Sequence, residues 1–152
     1  MSDAATPTVT ASAGPAAVTP AAHRPGRRVR IALRALQAVL ALFFGIASAF
    51  PKLVGHSSAV ESFDRIGFGD WYMHLIGGLE LAGAVALLIP LLSGVAALAF
   101  IGLMIGAFVT QVTVFDGQYA ITPLILIVPL ALVAWTRRRH NAELVALLRR
   151  RA

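Results

Sequence analysis

Residues 71–92, WYMHLIGGLELAGAVALLIPLL, constrain this chain more than any other stretch. About 20 mostly apolar residues suffice to cross a bilayer as a helix, and this run reaches that length. Near its middle stands one carboxylate, Glu80. An ionisable side chain at bilayer depth costs about 3 kcal/mol on insertion scales, so it needs a partner or a task.

The rest of the chain repeats the pattern. It is 58% hydrophobic and only 13% charged, where a soluble globule carries about 25% charged residues. The charge is absent from four segments, near 29–50, 71–92, 93–115 and 120–136, and collects between and beyond them. The expected fold class is therefore all-α, an integral membrane antiparallel four-helix bundle, since each span must satisfy its own backbone in lipid. Residues 1–22, rich in Ala, Thr, Pro and Ser, read as a disordered tail. Residues 137–152 read as a basic tail that can form an amphipathic helix.

With both termini on one side, that side holds 11 of the 13 Lys and Arg residues; only Lys52 and Arg65 fall on the other. The positive-inside rule then places both termini in the cytoplasm. The arginine clusters abut apolar spans, which points to topology and anionic lipid as partners and away from nucleic acid. There are no cysteines. Disulfides, thiolate metal sites and cysteine-ligated iron–sulfur clusters are excluded. No HExxH, Walker loop or GxSxG occurs, and no cofactor or metal ligand set is evident.

Local signals set the expected boundaries. Pro51 ends the first span. Ser58-Ala59-Val60-Glu61 reads as a capping box opening a short amphipathic helix on the membrane surface, stopped at Gly67. Asp70, Ser93 and Thr122, the last followed by Pro123, read as N-caps of the second, third and fourth spans, and Pro129 should bend the fourth. Gly78, Ala82 and Ala86, and Gly102 with Gly106, are small residues at a spacing that permits close helix approach in lipid. Gly77 and Ala84 flank Glu80 on its own face and would let a neighbour press against the acid.

Glu80 lies about nine residues beyond Trp71, roughly 14 Å along the helix and near the bilayer midplane. Burial there favours the neutral acid, either as a proton acceptor or ligand group or as helix-to-helix glue. Gln37 is expected at a similar depth from the cytoplasmic side. His74, Thr110 and Gln111 lie one to two turns below the opposite surface, with Lys52 and His56 at or above it. Together these groups outline a polar funnel towards Glu80. His74 and Glu80 are six residues apart and so point about 120° apart, off any shared stripe. A lone interfacial histidine ordinarily bonds a backbone carbonyl or headgroup.

The run FPKLVGH at 50–56, VESFDRIGFGDW before the second span, and GGLELAGAVALLIP within it resemble the DoxX-like family of small four-helix bacterial membrane proteins. The resemblance covers about residues 33–136. It maps the family's polar positions to Lys52 and Glu80, and puts Gln111 where members often carry a histidine. It implies a multi-pass protein of the bacterial inner membrane, non-catalytic by itself, associated with quinone or with a redox or sulfur-stress complex. Two alternatives stay open: a small proton-coupled permease or efflux component, and a structural membrane assembly protein; the protein partners in view are a redox protein or further copies of the chain in a homo-oligomer.

Overall fold

The computed structural model describes residues 26–138. Both tails outside that range, with the readings placed on them, lie outside the described residues. Those residues are helical, with no strand among them. The helices are α1 (Arg27–Leu42), α2 (Phe50–Leu53), α3 (Ser57–Ile66), α4 (Asp70–Leu88), α5 (Ser93–Val114) and α6 (Ile121–Thr136); a π-helical turn (Phe43–Ala49) joins α1 to α2. Three stretches are long and apolar enough to cross a membrane: Arg27–Leu53, Asp70–Leu88 and Ser93–Val114. The apolar α6 is shorter, at 16 residues.

Pro51 does not end the first span. A proline inside a helix lacks one N–H and crowds the carbonyl four residues back. Here the helix widens just before it, and the Phe50 N–H bonds the Gly45 carbonyl, five residues back. The chain thus carries Pro51 and runs on to Leu53.

The caps also differ from the sequence reading. Helix α3 begins two residues earlier than the capping box implied, with His56 at its N-cap and its ring nitrogen accepting from the Ser58 N–H. Gly67 does close it, at φ 82°, with its N–H on the Phe63 carbonyl. Gly69 rather than Asp70 caps α4, Leu92 rather than Ser93 precedes α5, and Ala120 rather than Thr122 precedes α6. In each case the expected cap residue lies inside the helix, and Ser93 turns its hydroxyl back to the Pro90 carbonyl instead.

The first span packs antiparallel on α4, α4 on α5, and α5 on α6, with a lighter contact closing α6 onto α1. Helix α4 buries one stripe, Met73, Gly77, Glu80, Ala84 and Leu87, so the small residues flanking Glu80 do admit a close neighbour. A Cβ on Gly77 would sit 3.0 Å from Lys52 Cβ and 3.3 Å from the Ala49 carbonyl oxygen. The other small-residue patterns behave differently. Gly78 and Ala82 face outwards, and a Cβ at Gly78, Gly102 or Gly106 meets nothing within 4 Å. They do not seat a neighbouring helix within the chain.

The main apolar cluster lies towards the end of the molecule holding the described termini, with Ala49 and Met73 buried separately nearer the other end. Leu40, Phe44, Leu87, Ala97, Phe100, Leu130 and Val133 fill it. Phe44 and Phe100 stack with ring centroids 4.0 Å apart. With lipid as apolar as leucine, such contacts hold spans together by packing rather than by water exclusion. Helix α3 is amphipathic as expected. It packs on α2, α4 and α5 and roofs the opposite, hollow end.

Candidate functional site

The hollow end encloses a cavity of about 1110 Å³ between the π-helical turn, α3, α4, α5 and the start of α6. Phe44 and Met104, both core residues, and Glu80 line its inner end. Phe43, Phe63, Ile66, Tyr72, Ile76 and Leu103 give it largely apolar walls. Its exposed lining falls into two groups. Phe43, Gly102, Gly106 and Val109 form an apolar side opening on the span helices. Ser58, Glu61 and Arg65 from α3, with Gln118, Tyr119 and Thr122, form a polar opening at the end.

At the inner end a three-residue ring closes. Lys52 Nζ lies 2.8 Å from Glu80 Oε2. The same ammonium donates to the Ser48 carbonyl at 2.8 Å and to Ser48 Oγ at 3.0 Å. The Ser48 hydroxyl donates to Glu80 Oε1 at 3.1 Å. The Glu80 side chain is 5% exposed and that of Lys52 17%. Glu80 is therefore not the isolated acid expected at that depth: a cation and a hydroxyl serve its two oxygens.

The local fold explains why Lys52 reaches it. Ser48 lies in the π-helical turn and Lys52 one turn later, so both face α4. Widened turns of this kind concentrate at functional sites. Gly77, one turn before Glu80, supplies the gap that admits the lysine stem. Lys52 was expected at or above the surface because Pro51 was read as a helix end; the continuing helix carries its side chain inwards. The sequence reading missed Ser48, and only the i, i+4 spacing from Lys52 could have signalled it.

The other candidates disperse. Gln37 does not share Glu80's depth. Gly45 faces Ala84, and a Cβ on Gly77 would meet Ala49 O, an antiparallel register that puts Gln37 level with the α4–α5 turn. Its Oε1 accepts from Arg137 Nη2 at 3.2 Å instead, tying α1 to the end of α6. His74 is exposed, with Nδ1 2.8 Å from the Asp70 carbonyl, and points away from Glu80 as its spacing required. His56 caps α3. Gln111 does line the cavity, and its Oε1 is buried with no partner. Among the described residues, no group of three or more His, Cys, Asp or Glu could hold a metal ion.

The arrangement can bind an amphiphilic molecule through a charged, hydrogen-bonded inner end and aromatic walls. Neither a curated protein nor a solved structure matches the chain. A family model does, over residues 35–134, a segment that contains the cavity's Ser48–Lys52–Glu80 ring and Gln111, and the chain belongs to the DoxX-like family.

Proposed function

We propose that this protein is a four-span subunit of the bacterial inner membrane, non-catalytic by itself, whose cavity holds a molecule of the quinone pool for a redox partner. The observation that carries the reading is the cavity of about 1110 Å³, apolar along its walls and ending on the Ser48–Lys52–Glu80 ring. Ligand pockets for small molecules have this form: mostly apolar, with a few placed polar groups, and about 300–1,000 Å³ in volume. The residues fit a quinone-class ring, with Phe44, Phe63 and Tyr72 as flat apolar surface and the ring with Gln111 as polar contacts. Such a group, when bound, supplies two-electron redox chemistry that the chain's own side chains lack. Gly102 and Gly106 leave the side opening free of side chains, at a level where an isoprenoid tail can run into lipid.

Binding tests the reading directly. Purified protein in lipid nanodiscs should bind decylubiquinone or its reduced form saturably. Gly106→Phe, which places a ring in open space at the side opening, should weaken binding by about tenfold while leaving the thermal midpoint unchanged. Absence of saturable binding by the unaltered protein overturns the proposal. A second reading, in which the ring only fixes the register of the first span against α4, rests on the same salt bridge and predicts that absence.

The topology belongs to the same proposal. Helix α6 serves as the fourth span; it is 16 residues long, carries Pro129 inside it, and stops at the arginines that follow. Reporter fusions at the two termini should both report the cytoplasm, and a reporter inserted after Gly117 should report the same side as one inserted at Gly55. A periplasmic C-terminus would reduce the spans to three.

A further inference from the structure

We infer that the seam between α1 and α6 holds the phosphate of an anionic lipid headgroup, at a site built on Arg137 with Arg34 and Arg30 and positioned by Gln37. The general attraction of basic helix ends to anionic lipid needs no site. What points to one here is Gln37. It is 5% exposed, yet only half of its amide is used. Its Oε1 accepts from Arg137 Nη2 at 3.2 Å, while Nε2 is buried with no partner among the described residues. A buried donor left unmet is costly, so the residue is explained by what its other half does, which is to fix a guanidinium.

A cation at the carboxyl end of α6 is favourable in itself. The informative part is the partner it has. A carboxylate at position 37 would hold Arg137 more strongly and cancel its charge. A neutral amide orients the guanidinium and leaves that charge in place. A guanidinium has five N–H donors, and Gln37 engages one of them. No described carboxylate competes for the rest. The ion pairs among the described residues are Lys52–Glu80 and Glu61–Arg65. The described carboxylates, Glu61, Asp64, Asp70, Glu80 and Asp116, belong to α3, to α4 up to Glu80 and to the turn before α6, away from this end.

Further positive charge follows the same seam. Arg34 and Arg30 stand three and seven residues before Gln37, about 60° and 20° from it around α1. A guanidinium meets a phosphate with two parallel hydrogen bonds. The level is that of a headgroup. Trp135, two residues before Arg137, is exposed and carries Arg138 4.8 Å over its ring, as an aromatic side chain at a membrane surface does. Basic pockets between spans at such a surface bind anionic headgroups.

The test is native mass spectrometry of the full chain released from detergent micelles that hold phosphatidylglycerol and phosphatidylcholine in equal amounts. One phosphatidylglycerol should be retained, about fivefold over phosphatidylcholine. Three variants each lower the charge of this end by one. Arg137→Gln removes the guanidinium. Gln37→Glu keeps the acceptor and cancels the charge beside it. Arg28→Gln acts on the far side of α1, about 180° from Gln37. The first two should lose the preference by about threefold or more, and Arg28→Gln should keep it within about 1.5-fold. Gln37→Glu retains the tie between α1 and α6, so its thermal midpoint should not fall and its lost preference is not a lost fold. No preference in the unaltered chain, an equal loss in all three variants, or an unchanged preference in Gln37→Glu overturns the inference. Dialysis of radiolabelled inorganic phosphate against the delipidated chain separates the two sources of a phosphate group. No saturable binding is expected there; saturable binding that Gln37→Glu abolishes keeps the site and overturns the lipid as its occupant.

Discussion

Replacing Glu80 with leucine should destabilise the folded chain by about 3 kcal/mol, the lower end of the 3–5 kcal/mol expected when one partner of a buried ion pair is removed. The lower end applies because the Lys52 side chain is 17% exposed and borders the cavity, so its stranded charge can find some relief there. Glu80→Gln should fall close to Glu80→Leu rather than to the unaltered protein. A glutamine keeps an acceptor for only one of the two donors, Ser48 Oγ or Lys52 Nζ, turns its NH2 towards the other, and leaves the ammonium without a counter-charge. Removing both charges together, in Glu80→Leu with Lys52→Met, should restore stability to within about 1 kcal/mol, as replacement of buried pairs by apolar residues generally does. Denaturant titration of the four proteins in one detergent measures this. Should the glutamine variant match the unaltered protein, the pair is not charged as drawn. The double variant also separates the two readings of the ring. A ligand site loses its ligand there although the fold is restored, whereas helix glue loses nothing.

Sequence alone reached much of the fold through one physical rule. Backbone polar groups must be satisfied inside lipid, so apolar runs of span length at 29–50, 71–92 and 93–115 can only be helices, and their existence followed. Their ends were less legible. Ser, Asp and Thr near an apolar start attract a cap assignment, yet in this chain Gly69, Leu92 and Ala120 take the position. The expected caps lie one or two residues further in. Helix boundaries carry that uncertainty in any case.

For the site, Glu80 was legible because a carboxylate in an apolar run has no cheap explanation, and Gly77 and Ala84 beside it marked the packed face. Its partner was harder to see. Pro51 signals a helix end at the level of local propensity, and nothing in hydrophobic periodicity announces a widened turn that lets the helix carry a proline. Without that turn Lys52 falls at a surface and Ser48 has no role. The error in Gln37 had the same source. Depth was counted from assumed ends, and the first span runs from Arg27 to Leu53, so Gln37 lies eleven residues, about 16 Å, before Ser48. The small-residue patterns misled for another reason. Spacing of four residues says that close approach is allowed on a face; it does not say which of two such faces has a neighbour. In α4 the stripe through Gly77 is covered and the one through Gly78 is open.

That difference gives the second large effect. Gly77→Val should cost about 3 kcal/mol, the upper end of the range for overpacking, while Gly78→Val should change stability by less than about 0.5 kcal/mol. The added Cβ at Gly77 meets Lys52 Cβ at 3.0 Å, Leu53 Cγ at 3.2 Å and the Ala49 carbonyl oxygen at 3.3 Å. None of these is the loose tip of a side chain. Two belong to stems fixed on α2, and the third is backbone, so α2 as a whole must move away from α4. That movement draws Lys52 from Glu80, one turn further along the same stripe. The two substitutions are therefore coupled. In the Gly77→Val background, Glu80→Leu should cost well under the 3 kcal/mol it costs alone, because the pair it breaks is already open, and a double-mutant cycle reads that difference as an interaction energy of about 1–3 kcal/mol. Full additivity would mean that the first span yields elsewhere and that the salt bridge does not depend on the gap at Gly77.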